Sequence, residues 1–100
     1  MVICVDVDGT ICRGTAWNIH DVKNALPNEA VIKWVNKMYQ KHFIVIHTAR
    51  RQNLWVPTIN WAIQHGVFFH AFACGVGKCP ADLYVDDKSI NLDSILLEEV

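Results

Sequence analysis

The run Val2-Ile3-Cys4-Val5 is apolar at every position, and Phe43 to His47 forms a second run of the same kind. Short, uninterrupted and rich in β-branched residues, such runs read as strands covered on both faces, as in the interior of a parallel sheet. Between them, over 27–41, Val31, Trp34, Val35 and Met38 recur at three-and-four spacing, with Glu29 in the first turn. That pattern predicts an amphipathic helix. A second helix is expected from near Pro57 to His65, with Ile59, Ala62 and Ile63 as its apolar face and Gly66 just past its end.

Residues 67–73 and 81–85 read as two further strands, 92–100 as a last helical turn or two, and Gly9 to Asn28 as a loop or flap. Alternating strands and helices imply an α/β fold with a parallel sheet and right-handed crossovers. The expectation is one Rossmann-like domain over residues 1–100, a three-layer α/β/α arrangement around about four strands.

A hydrophobic content of 52% over 100 residues is enough to build a core without a metal or disulfide staple. A net charge of -1 gives no electrostatic footprint for nucleic acid or for an anionic membrane. The first apolar run meets Asp6 too early to be a signal peptide or a membrane span, which places the expected chain in the cytoplasm. Cys4, Cys12, Cys74 and Cys79 contain no CxxC pair and are expected as free thiols.

In open α/β sheets, ligands bind beyond the carboxyl ends of the strands. Asp6-Val7-Asp8-Gly9-Thr10 ends the first run, His47-Thr48-Ala49-Arg50 the second, Gly77-Lys78 precedes the fourth, and Asp86-Asp87-Lys88 follows it. Two acidic pairs at neighbouring strand ends would crowd four carboxylates together, which is costly unless a cation or protons compensate. Oxygen donors without convergent His or Cys suit Mg²⁺ far better than Zn²⁺, and Mg²⁺ is commonly completed by substrate phosphate. Lys78 and Arg50 would face that phosphate, and the Thr48 hydroxyl would donate to it.

Taken singly, Asp8-Gly9 is a common turn dipeptide and Asp86-Asp87-Lys88 a plausible solvated loop, so the weight rests on their joint placement. His20, His42, His47, His65 and His70 read as packing or helix-end residues, and none is assigned to the site. Trp34 fits a core face, whereas Trp17 and Trp55 fall near the loops expected to surround the site.

In this order the elements resemble the haloacid dehalogenase (HAD) superfamily: Asp6-Val7-Asp8-Gly9-Thr10 resembles its motif I, Thr48 motif II, Lys78 motif III and Asp86-Asp87 motif IV. The stretch from Gly77 to Lys88 is also similar to small bacterial and phage members annotated for sugar-phosphate or capsule-biosynthesis chemistry. The resemblance implies a Mg²⁺-dependent phosphatase in which Asp6 attacks phosphorus to form an aspartyl phosphate. Asp8 would then act as the acid and base. It further implies that Asp6, the main-chain carbonyl of Asp8 and Asp87 hold the metal, with Asp86 behind Asp87. Lys78 would neutralise nucleophile and phosphate, and Gly9 would turn the chain so that N–H groups face the phosphate.

About forty residues separate Asp8 from Thr48 and thirty separate Thr48 from Lys78, each gap filled by predicted core elements. No cap domain fits, so the site is expected to be open, or closed by another protomer of a homo-oligomer. The expected substrate is a small phosphorylated metabolite such as a sugar phosphate. A polynucleotide 3′-phosphate end is an alternative, since these runs also resemble the phosphatase domain of phage polynucleotide kinases, although the composition disfavours nucleic acid. A non-catalytic phosphate- or metal-binding assembly module is the third reading.

Overall fold

The computed structural model describes residues 1–75, 77 and 79–86. Its four strands, β1 (Val2–Asp6), β2 (Phe43–Thr48), β3 (Ala71–Cys74) and β4 (Leu83–Val85), are all parallel and lie in the order β3-β2-β1-β4. This is the α/β class with a four-stranded parallel sheet that the two apolar runs predict. The expected turn at 92–100 lies outside the described residues.

Register decides what each face carries. Ile3 pairs with Ile44 and Leu83, and Val5 with Ile46 and Val85. Side chains alternate along a strand, so these residues share one face, where they join Val35, Met38, Trp61 and Ala62 in the core. The intervening residues share the other face: Cys4 is paired with Val45 and Tyr84, and Asp6 with His47. The chemistry-bearing end of β1 therefore emerges on the face opposite the main core.

Helix α2 (Glu29–Tyr39) buries Val31, Ile32, Trp34, Val35 and Met38, following the predicted stripe, and packs on β2. Helix α3 (Trp55–Gln64) begins two residues before Pro57, which sits within the first turn where a missing N–H costs nothing. Its buried face is Thr58, Trp61 and Ala62, and Ile63 is 60% exposed, which corrects the expected Ile59-Ala62-Ile63 face. Trp61 lies on that buried face and donates its indole N–H to the Ala25 carbonyl of the flap at 3.1 Å.

Gly66, at φ 73°, ends α3. The N–H of Gly66 bonds to the Ile63 carbonyl and that of Val67 to the Ala62 carbonyl, a Schellman closure that needs a left-handed residue. Val67 is buried as part of this stop, and β3 starts only at Ala71.

The segment Gly9–Asn28, read as a loop, contains a short helix α1 (Ile19–Asn24) that packs against α3. Asn18 caps it by accepting from the Asp21 N–H at 2.9 Å, while the Asp21 carboxylate accepts from the Trp17 N–H at 3.1 Å. This reciprocal capping is local. Only Val22 of α1 is buried, which is why no apolar period announces it. Among the described residues, no helix is long and apolar enough to cross a membrane.

Ile46 is fully buried in β2, so Ile46→Ala should cost about 2–5 kcal/mol of stability in urea unfolding, whereas Ile63→Ala should stay within about 0.5 kcal/mol. Equal losses at both positions would contradict this packing.

Candidate active site

Two cavities adjoin at the carboxyl ends of β1 and β2, with Ala49 lining both. The first, about 210 Å³, is lined by Cys4, Asp6, His47, Tyr84 and Asp86 among others. The second, about 450 Å³, is bounded by Asp8, Thr15, Trp17, Arg50, Arg51 and Leu54 among others. Asp6 and Asp8 thus open into separate but neighbouring spaces.

The carboxyl of Asp6 has its pKa raised, first by burial and further by the charges of Asp8 and Asp86; the Val7 N–H and His47 oppose the shift. Burial disfavours the charged form, and like charges add to that cost. Asp86, from just beyond β4, is thereby brought to Asp6 across the β1–β4 pair, as the strand-end argument expects. Lys78 and Asp87, the other two residues expected here, lie outside the described residues.

Asp8 is compensated by Arg50. The guanidinium Nη2 donates to Asp8 Oδ1 at 2.6 Å and Nε donates to Oδ2 at 3.1 Å, the two-pronged geometry Arg favours with carboxylates. Arg50 also donates to Thr58 Oγ1 at 2.8 Å, and its side chain is 3% exposed. The sequence reading turns Arg50 toward phosphate; here its fork is engaged by Asp8 and α3. The Ala16 N–H donates to Asp8 Oδ1 at 3.2 Å, tying the flap to the same carboxylate.

Thr48 is buried, and its hydroxyl oxygen accepts from the Arg50 N–H at 3.1 Å. Gly9 adopts φ 76°, and its N–H donates to the Gly14 carbonyl at 3.0 Å, so this residue supplies a tight turn closing the start of the flap. Trp55 donates its indole N–H to the Arg50 carbonyl at 2.8 Å and fixes the loop after β2.

His47 is the site residue the sequence reading passes over. It is paired with Asp6 in register, and its Nδ1 lies 3.9 Å from Asp6 Oδ1. Its Nε2 lies 2.9 Å from the carbonyls of both Gly75 and Gly77. Carbonyls only accept, so Nε2 carries a hydrogen shared between them. The imidazole thus joins the Asp6 carboxyl to the loop after β3. The available signal was its position at the strand end, on the face that register gives to Asp6.

Asp6 and Asp86 offer hard oxygen donors of the kind that suits Mg²⁺, but Cys4 and His47 line the same cavity, which corrects the expectation of carboxylates without convergent His or Cys. Among the described residues, no group of three His, Cys, Asp or Glu side chains forms a metal cage. A cation here would therefore draw further donors from main-chain carbonyls, water, a ligand or residues beyond those described. None of the four cysteines is in a disulfide, and the Cys79 thiol donates to the Cys4 sulfur at 3.3 Å.

No family model matches the sequence, and no curated protein matches it. Solved structures share the fold. A target protein from Vibrio cholerae is similar over 98% of this chain and 97% of its own, with 28% identity and a TM-score of 0.63. A chain of the Pnkp1/Rnl/Hen1 RNA repair complex matches 98% of this chain with 17% identity and a TM-score of 0.63. A chain from a second structure of the Pnkp1/Rnl/Hen1 complex matches the same share at 17% identity and TM-score 0.64. This chain spans 30% and 32% of those two chains, about a third of their length.

The raised pKa of Asp6 has a consequence for stability. The native carboxyl holds its proton to higher pH than the unfolded one, so its contribution is complete below the ordinary value of 3.8 and is lost as pH rises through the native pKa. In EDTA, Asp6→Asn should therefore melt higher than the unsubstituted chain at pH 7, with the gap closing as pH falls toward 3.8. A variant that melts lower at pH 7 would contradict the burial and repulsion assigned to Asp6.

Proposed function

We propose that this chain is a Mg²⁺-dependent phosphomonoester hydrolase of the HAD type, working through a phosphoryl group carried on Asp6. One observation carries the reading: a half-buried carboxyl at a strand end, its pKa raised by burial and by two further carboxylates, opens beside a second carboxylate held in a fixed pose. A surface acid has no need of such an arrangement, whereas a nucleophile that meets a cation and a phosphate does.

In this reading Asp6 Oδ attacks phosphorus and the P–O bond to the leaving group breaks, giving an aspartyl phosphate and an alcohol. Asp8, in its protonated form, gives the leaving oxygen the proton it needs, and the carboxylate so formed later takes a proton from the attacking water. Arg50 and the Ala16 N–H orient Asp8 through Oδ1, while Oδ2 has only the Arg50 Nε at 3.1 Å as a closer partner among the described residues. Oδ2 is thus the oxygen we assign to proton transfer. Asp6, the Asp8 carbonyl, Asp86 and Asp87 would hold Mg²⁺, which when bound offsets the charge of the phosphoryl oxygens. Lys78 would add a second positive charge, and Thr48 a hydroxyl donor.

For the leaving group, a small phosphorylated metabolite such as a sugar phosphate is one reading. A polynucleotide end is the second, and the shared fold with chains of an RNA repair complex supports it.

The reaction is tested with 4-nitrophenyl phosphate. The unsubstituted chain should turn over with Mg²⁺ and stop in EDTA, and Asp6→Asn should lose on the order of 10³-fold or more in kcat with its circular dichroism unchanged. Mg²⁺-dependent hydrolysis at undiminished rate by the folded variant would refute the assignment.

A further inference from the structure

The two adjoining cavities divide the labour of a displacement. Asp6 lines the smaller one, and Asp8 lines the larger. A group that protonates a leaving oxygen must face the leaving group, so on the reading above the 450 Å³ space beside Asp8 is where the leaving group sits. Its composition then specifies what that group is.

Trp17 stands on the rim of this space with 81% of its surface exposed. What singles it out among the exposed apolar side chains is its place, since its indole offers a flat face at the mouth of the cavity that Asp8 lines. Its backbone is held in place, because the Trp17 N–H donates to Asp21 at 3.1 Å beside the Asn18 cap of α1. The flap is anchored again one residue earlier, where the Ala16 N–H donates to Asp8 at 3.2 Å. Trp17 is thus tied through the chain to the carboxylate beside the leaving group. Arg51, also exposed, adds a cation to the same space, next in sequence to the buried Arg50.

We propose that this cavity is a leaving-group subsite for a nucleotide terminus, with a base stacked on Trp17 and a neighbouring phosphate of the chain drawn to Arg51. Indole and guanidinium both offer flat, stacking surfaces, and base stacking with backbone charge is how single-stranded nucleic acid is held without sequence readout. A sugar leaving group would ask for several hydrogen-bonding partners for its hydroxyls. Of the described residues lining the cavity, Thr15 alone carries a hydroxyl, Asp8 and Arg50 are engaged with each other, and Ala16, Ala49 and Leu54 are apolar. The balance favours a flat base over a polyhydroxylated ring. This assignment deepens the phosphatase reading and rests on it for Asp8, but the subsite can be read without turnover.

Two measurements test it. Binding is followed by fluorescence anisotropy of labelled single-stranded tetranucleotides bearing a 3′- or a 5′-phosphate, using Asp6→Asn and Asp6→Asn/Trp17→Ala. Saturable binding that weakens about tenfold or more in the double variant, is largely restored by Trp17→Phe and is flattened in its salt dependence by Arg51→Gln supports the subsite. The better-bound end identifies which terminus is read. Turnover is then compared on that tetranucleotide and on glucose 6-phosphate, and Trp17→Ala should lose at least tenfold more on the tetranucleotide.

Equal losses on both substrates, or binding that ignores Trp17, would overturn the proposal. So would a Trp17→Ala variant that only converts a dimer to a monomer, since that assigns the indole to a second copy of the chain. Failure of the phosphatase reading looks different: no phosphomonoester is turned over, while the anisotropy still reports on Trp17.

Discussion

Charge compensation at the end of β1 is the constraint around which the rest of the molecule is arranged. Two carboxylates two residues apart, Asp6 at the end of β1 and Asp8 in the turn that follows it, meet a third from beyond β4, and each needs something positive or a proton. The first two are answered differently. Asp8 receives Arg50, 42 residues away in sequence, through a charged fork that is itself buried and anchored to Thr58 on α3. Among the described residues, Asp6 receives the Val7 N–H and the imidazole edge of His47 at 3.9 Å, and it keeps a raised pKa. Among the described residues one acid is thereby fixed and the other has no such cationic partner, the division that the roles proposed for Asp8 and Asp6 call for.

The scaffold makes that division affordable by separating stability from chemistry. Ile3, Val5, Ile44, Ile46 and Val85 lie on one face of the sheet and are completely buried there. Cys4, Asp6, His47 and Tyr84 alternate with them onto the other face, where the smaller cavity opens. Because the period of a strand is two, the same five residues of β1 serve the core and the cavity at once. The flap lends Thr15, Ala16 and Trp17 to the larger cavity, held by the Ala16 N–H bond to Asp8 and the turn at Gly9, while its Ile11, Cys12 and Val22 join the core.

How much of this is legible in the sequence follows from the range of each interaction. β1, β2 and α2 are written in local periodicity, and the ends of β1 and β4 bring Asp6 and Asp86 to one cavity while Asp8 opens into its neighbour. Helix α1 is not written that way, because it is short, buries only Val22 and is started by an Asn18–Asp21 cap set among turn-forming residues. The partner of Arg50 is also hidden, since nothing in the spacing tells a phosphate-facing guanidinium from one closed on Asp8. His47 shows a third kind of gap. Its role depends on register with Asp6 and on two carbonyls 28 and 30 residues downstream, which no local pattern encodes. The buried face of α3 likewise involves a distant partner, the Ala25 carbonyl that accepts from Trp61.

The most direct test of this account is a calorimetric titration of the chain with Mg²⁺ at pH 7, repeated on Asp6→Ala. If the acids at the ends of β1 and β4 are held together by a divalent ion, the unsubstituted chain binds Mg²⁺ saturably and the variant does not. Mg²⁺ binding of equal affinity in both, or in neither, would contradict it.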